Sequence, residues 1–164
     1  MKCAWLASPM LAILVAVTPA WSASDPRLEN LALCRDSWLD WKNSDPSALD
    51  SFGAYFRLAF AHNDNDAIFT PKSPLTIDGL NVTQVFPGSL GMGLGFSVLV
   101  DAPFDVTKQA VERDLGKPLD PCEASDGMRS CELSIAEQRT VILASNDPPN
   151  DKTTLVGCYY FYEK

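Results

Sequence analysis

Four features of this chain could do chemistry: a serine in a glycine-rich turn, a lone histidine, an acidic loop and five cysteines. Pro87-Gly88-Ser89-Leu90-Gly91 approaches G-x-S-x-G, the elbow that presents a nucleophilic serine, but proline replaces the first glycine. That elbow needs a strand before it and a helix after it. Here the residues that follow alternate like a strand, so serine hydrolysis lacks its context. A phosphate- or dinucleotide-binding loop fails the same test, because no helix N-terminus follows. Two roles remain for the segment. Its bare glycine face can be closely packed by another element, or the turn can enter a partner's cleft. Ser89, Leu90, Gly91 and Met92 are the expected partner-binding residues.

His62 is the only histidine, so no histidine metal cluster can form. Near a helix C-terminus its simplest role is to interact with the last carbonyls. Asp64-Asn65-Asp66 suggests calcium, but no glycine follows and no glutamate completes an EF-hand loop. A solvated loop is expected, with no metal and no cofactor.

The cysteines follow from the turns. Asp126-Gly127 is a preferred two-residue hairpin turn, because both central residues need positive φ. Counting outward places Cys122 opposite Cys131 at a non-hydrogen-bonded pair, whose Cα atoms lie about 4.5 Å apart, within disulfide range. Cys3 falls in an export signal, which leaves Cys34 to pair with Cys158. Both bridges together exclude a Cys–His dyad and a cysteine metal site.

The export signal is expected over residues 1–22. Lys2 gives a positive start, Met10 to Val17 an apolar stretch, and Ala20-Trp21-Ser22 a small-residue cleavage site. The apolar run falls short of the roughly 18 residues needed to span a bilayer. No cysteine follows it for lipid attachment, so no stable membrane insertion is expected after cleavage. The signal's form points to the bacterial periplasm. Asn81-Val82-Thr83 is a glycosylation sequon only in a eukaryotic host. Residues 23–164 suit one domain. The full chain carries a net charge of −8, and losing Lys2 makes it one unit more negative. That excludes nucleic acid and anionic lipid as natural partners and fits a basic protein.

These residues need elements to position them. Asp25-Pro26 opens a first helix with Leu28, Leu31, Cys34, Trp38 and Trp41 on one stripe. Ser44-Asp45-Pro46 opens a second, striped by Leu49, Phe52, Phe56 and Phe60, and His62 to Asp66 ends this helical hairpin. Asp78-Gly79 predicts a strand hairpin, and residues 87–91 a loop. From Gly91 onward a strand carries Phe96, Val98 and Val100 on one face and Gly95, Ser97 and Leu99 on the other. A third helix runs from near Pro103 to Gly116. Residues 139–144 form a strand. The last strand, from Thr153, is apolar on both faces and therefore central. The sum is an α+β fold: an N-terminal helical hairpin and one further helix packed on an antiparallel sheet, with two disulfides. Half of the aromatic run Tyr159 to Tyr162 faces the core, and half is free for contact.

Val111-Glu-Arg-Asp-Leu115-Gly116-Lys117-Pro118, followed by a hairpin and strands, resembles the helix-end motif of SmpA/BamE-like small envelope proteins. The helices-then-sheet plan is similar to β-lactamase-inhibitor-protein-like domains. The resemblance covers these eight residues and the topology, and departs in lacking a lipobox cysteine. It implies a small envelope binding scaffold and transfers no functional residue. With no catalytic constellation, the expected function is non-catalytic: a periplasmic inhibitor or immunity protein that blocks a secreted or envelope-active enzyme. The alternatives are an envelope assembly factor of the SmpA/BamE-like kind, a small-ligand binder, or an enzyme of unfamiliar type.

Overall fold

Two aspartate–glycine pairs set two hairpins. Asp126 and Gly127 have φ of 53° and 77°, and Asp78 and Gly79 have 48° and 75°. Positive φ at both central residues is the type I′ geometry, whose twist matches paired strands. In chain order the strands are β1 (Ala23–Ser24), β2 (Phe60–His62), β3 (Phe69–Pro71), β4 (Leu75–Ile77) and β5 (Leu80–Ser89). They continue with β6 (Leu94–Val100), β7 (Cys122–Ser125), β8 (Met128–Ala136), β9 (Arg139–Asn146) and β10 (Thr154–Tyr160). The helices are α1 (Pro26–Ala32), α2 (Pro46–Ala59) and α3 (Phe104–Leu115). This computed structural model describes residues 23–37, 46–62, 68–89, 94–146 and 148–160.

The sheet order is β1-β4-β5-β6-β10-β9-β8-β7, with the β2–β3 hairpin joined to β5. All described pairs are antiparallel except β1 with β4. β10 lies between β6 and β9, the central place that its two apolar faces require. One line of opposed residues crosses five strands: Val85, Val98, Val156, Leu143 and Cys131, all fully buried. The neighbouring line, Pro87, Phe96, Cys158 and Val141, lies on the same face.

All three helices cover that face. Cys34, just past α1, is bonded to Cys158. Phe56 of α2 meets Phe96 edge-on at 6.5 Å between ring centroids. Phe104 of α3 lies under the Arg129 guanidinium at 4.5 Å. Gly116, with φ 65°, stops α3 in the left-handed cap that the sequence predicts.

α1 is shorter than its stripe suggests. Asp25 caps it by accepting from the Arg27 N–H at 2.9 Å, and Pro26 fills its first position. The helix then stops at Ala32. Cys34 takes a left-handed conformation, φ 57°, and Arg35 N–H donates to the Asn30 carbonyl at 2.8 Å. This is a Schellman-type ending with cysteine in the usual glycine position. Leu28, Leu31, Ala32, Leu33 and Cys34 are all buried, so burial on several sides and the bond to β10 override the helical period. Trp38 and Trp41 lie outside the described residues.

Two further expectations are corrected. α2 passes into β2 without a connecting residue, so Phe60 and His62 stand on a strand and not at a helix end. Residues 87–89 continue β5 and pair with β6, Ser89 opposite Leu94. Beyond Val85 the outer side of β5 has no pair among the described residues, and a strand tolerates proline at such an edge.

Cys34–Cys158 and Cys122–Cys131 are the two bridges, with sequence separations of 124 and 9. The opposed pairs 122/131, 123/130, 124/129 and 125/128 match the count outward from Asp126-Gly127. Loop-closure entropy makes the long bridge the more stabilising one. The double variant Cys34→Ala/Cys158→Ala is expected to lose about 3–5 kcal/mol, and Cys122→Ala/Cys131→Ala about 2–3 kcal/mol. Urea unfolding at fixed pH measures both, and an equal loss from the two would refute the entropic account.

Candidate functional site

Ser89 terminates β5, and Leu90, Gly91 and Met92 lie outside the described residues. A strand, β6, follows in place of the helix that a nucleophile elbow needs. The bare glycine face does meet a close neighbour, but that neighbour is the adjacent strand. A Cβ on Gly95 would stand 2.5 Å from the Cys158 carbonyl oxygen, and one on Gly157 2.6 Å from the Ser97 Cβ. Directly opposed Cβ atoms usually lie about 4.5–5.5 Å apart. β6 and β10 therefore approach closely at Gly95, Ser97 and Gly157, all three of which are buried.

Gly95, Ser97 and Gly157 belong to the second face of the sheet, on which none of the three described helices packs. Opposed residues again run in lines across it: Leu99, Leu155 and Ala144; Phe86, Ser97, Gly157 and Ile142; Gly95, Tyr159 and Thr140. Phe86, Leu99, Ile142, Leu155 and Tyr159 are half-buried and frame the small residues. Tyr160 points into the core and Tyr159 onto this face, dividing the aromatic run as its alternation requires. Burial raises the Tyr159 hydroxyl's pKa. Glu123 and Glu132 are exposed at the β7–β8 border, opposite Ser130 and Ile142.

Composition and spacing gave no hint of a second feature, a carboxylate cluster on the helix side. Glu29, Asp78 and Asp114 come from α1, the β4–β5 turn and α3, with oxygens within 4.8 Å of one another. Arg35 pairs with Glu29 at 3.3 Å and, more closely, with Asp114, and donates to the Asp114 carbonyl at 3.2 Å. Asp78 Oδ2 is buried without a hydrogen-bond partner. Burial, then the charges of Asp114 and Glu29, push the Asp78 carboxyl up to about 6. Such a group next to two other carboxyls has the ingredients of an acid–base pair. Three carboxylate oxygens could also contribute to a hard-cation site, which needs six or more ligands for calcium. Arg35 already supplies positive charge there, so the cluster works as a clamp joining α1 to α3.

His62 sits elsewhere. It stacks on Phe69 at 4.6 Å, directly opposite it in the β2–β3 pair. With Gly53, Phe56, Arg57, Phe60 and Phe69 it lines a cleft of about 280 Å³. Among the described residues no serine, cysteine or second histidine approaches it there. No family model, curated protein or solved structure matches this chain.

The sign of the Asp78 effect follows from its raised value. A carboxyl that binds its proton more tightly when folded adds stability below its unfolded value near 4, and that stability is lost as pH rises through 6. Asp78→Asn keeps the turn, since Asn-Gly suits type I′. It is expected to raise stability at pH 8 by about 1 kcal/mol, after allowance for solvent screening at the turn. The gain should shrink toward pH 4 in thermal melts, and a pH-independent gain would assign it to the turn alone.

Proposed function

We propose that this chain is an exported, non-catalytic binding protein that blocks an enzyme, as an inhibitor or immunity protein does, and that it binds through the sheet face opposite its three described helices. One observation carries the proposal. An antiparallel sheet with helices on one side usually presents polar residues on the other. Here the large half-buried side chains of Phe86, Leu99, Ile142, Leu155 and Tyr159 stand around buried glycine and serine instead. Large, partly accessible apolar groups grouped on one face are what an interface hot spot uses.

The occupant is a basic protein. The chain is strongly acidic, and Glu123 and Glu132 border the face with no ion pair among the described residues. Complementary charge of this kind accelerates encounter and orients the partner, while the apolar centre supplies the slow dissociation. Two disulfides suit export to an oxidising compartment. Among the described residues no helix is long and apolar enough to cross a membrane. The half-buried group Phe86, Leu99, Ile142, Leu155 and Tyr159 replaces Ser89 to Met92 as the centre of contact in this proposal.

The test pairs capture with face-directed variants. Mature protein on a resin, exposed to periplasm and culture supernatant, is expected to retain a basic enzyme and to inhibit it stoichiometrically. Tyr159→Ala should weaken that complex by about 2 kcal/mol or more, and Ile142→Glu should abolish it. Leu58→Glu and Val106→Glu, at exposed helix positions, should leave it unchanged. Equal retention by wild type and Ile142→Glu would sink the proposed face. Capture of outer-membrane assembly components without inhibition of an enzyme would favour the envelope-factor alternative.

A further inference from the structure

The cleft between α2 and the β2–β3 hairpin has a composition unlike the rest of the molecule. Its walls are aromatic. Phe56 and Phe60 stack at 4.9 Å and 23°, and Phe69 meets Phe56 edge-on at 5.0 Å and 74°. Its mouth is basic, with Arg57 and His62 both exposed. The Arg57 guanidinium lies over Gly53: a Cβ there would stand 3.4 Å from Nη1. Lys72 donates from Nζ to the Arg57 carbonyl at 2.8 Å, and its N–H donates to the Ala59 carbonyl at 3.0 Å, which fixes this end of the helix.

Arg35, Lys108 and Arg129 each hold a carboxylate. Arg57 has none among the described residues, although the chain carries 21 acidic groups. We infer that this cleft binds an aromatic carboxylate, with the ring on the floor that the buried Phe56 and Phe60 form, against the half-buried Phe69, and the carboxylate on Arg57. The size agrees. An apolar cavity of about 150 Å³ holds benzene, so 280 Å³ takes one ring and a short chain. The planar guanidinium matches a carboxylate in geometry as well as charge. Gly53 leaves the space in front of it open.

Two sources share this chemistry: a free arylalkanoic acid, and the C-terminal aromatic residue of a peptide. Calorimetric titration of the oxidised protein separates them, using 3-phenylpropionate, its neutral amide, and a phenylalanine-terminated tripeptide with free or amidated C-terminus. The acid or the free-terminus peptide should saturate at submillimolar concentration, with the matching amide at least about tenfold weaker. The tighter of the two identifies the source. Arg57→Gln should remove the preference for acid over amide. Gly53→Leu should abolish binding without lowering the melting temperature, because leucine is the better helix former. Absence of saturable binding by both acid and peptide, equal binding of acid and amide, or full binding by Gly53→Leu would each overturn the inference. Arg57 is exposed, so its variant remains decisive if Gly53→Leu fails to fold.

Discussion

The covalent bond between Cys34 and Cys158 is the constraint on which the rest of the architecture depends. A seven-residue helix has almost no stability of its own, since nucleation costs more than so few hydrogen bonds return. α1 persists because the bridge and the burial of Leu28, Leu31 and Leu33 hold it against the central strand. The other helices are tied to it in turn. Tyr55 of α2 donates to the Asp25 cap, and Arg27 lies over the Tyr55 ring at 5.7 Å. Arg35, next to the bridge, reaches Asp114 on α3. One cross-link to β10 thus gathers three helices on one side of the sheet.

That gathering explains why the two faces of the sheet are unlike. The helix side closes over an apolar core and leaves an aromatic cleft at its margin, beside α2. None of the three described helices packs on the far side, where large half-buried side chains stand around buried glycine and serine. Glycine sets how near the two central strands come. Without side chains at 95 and 157, β6 and β10 approach more closely than any other residue would permit. Among the described residues neither surface brings together a nucleophile, a base and an oxyanion donor, whereas both offer apolar area and a charged margin.

Much of this was legible in the sequence wherever the determinant was local. Asp126-Gly127, Asp78-Gly79 and Gly116 each announce a backbone conformation that few other residues adopt, and each stands where it was expected. The central place of β10 was legible from its two apolar faces. Features decided by distant contacts were not. The spacing of Leu28, Leu31 and Cys34 runs on to Trp41, yet the chain turns at Cys34, because its partner lies 124 residues away. Pro87 and Gly88 read as loop residues because their tolerance depends on how far β3 extends along β5. The Glu29, Asp78 and Asp114 cluster had no signature, since three elements far apart in sequence each contribute one carboxylate. The aromatic cleft was hidden for a related reason. Phe60 fits the helical stripe of α2, and only the abrupt passage into β2 places it in the cleft that Phe69 also lines.

The four-residue strand β7 ends the sheet with every side chain exposed, held by its pairs to β8 and by Cys122–Cys131. It has no hydrophobic anchor of its own. Its place at the margin means that the backbone donors and acceptors of Met128 to Cys131 are shielded by a cover that is covalently latched. An unlatched cover could peel away and offer β8 as a template for another chain's strand. A bridge at that pair therefore closes this route to strand addition for as long as it stays oxidised.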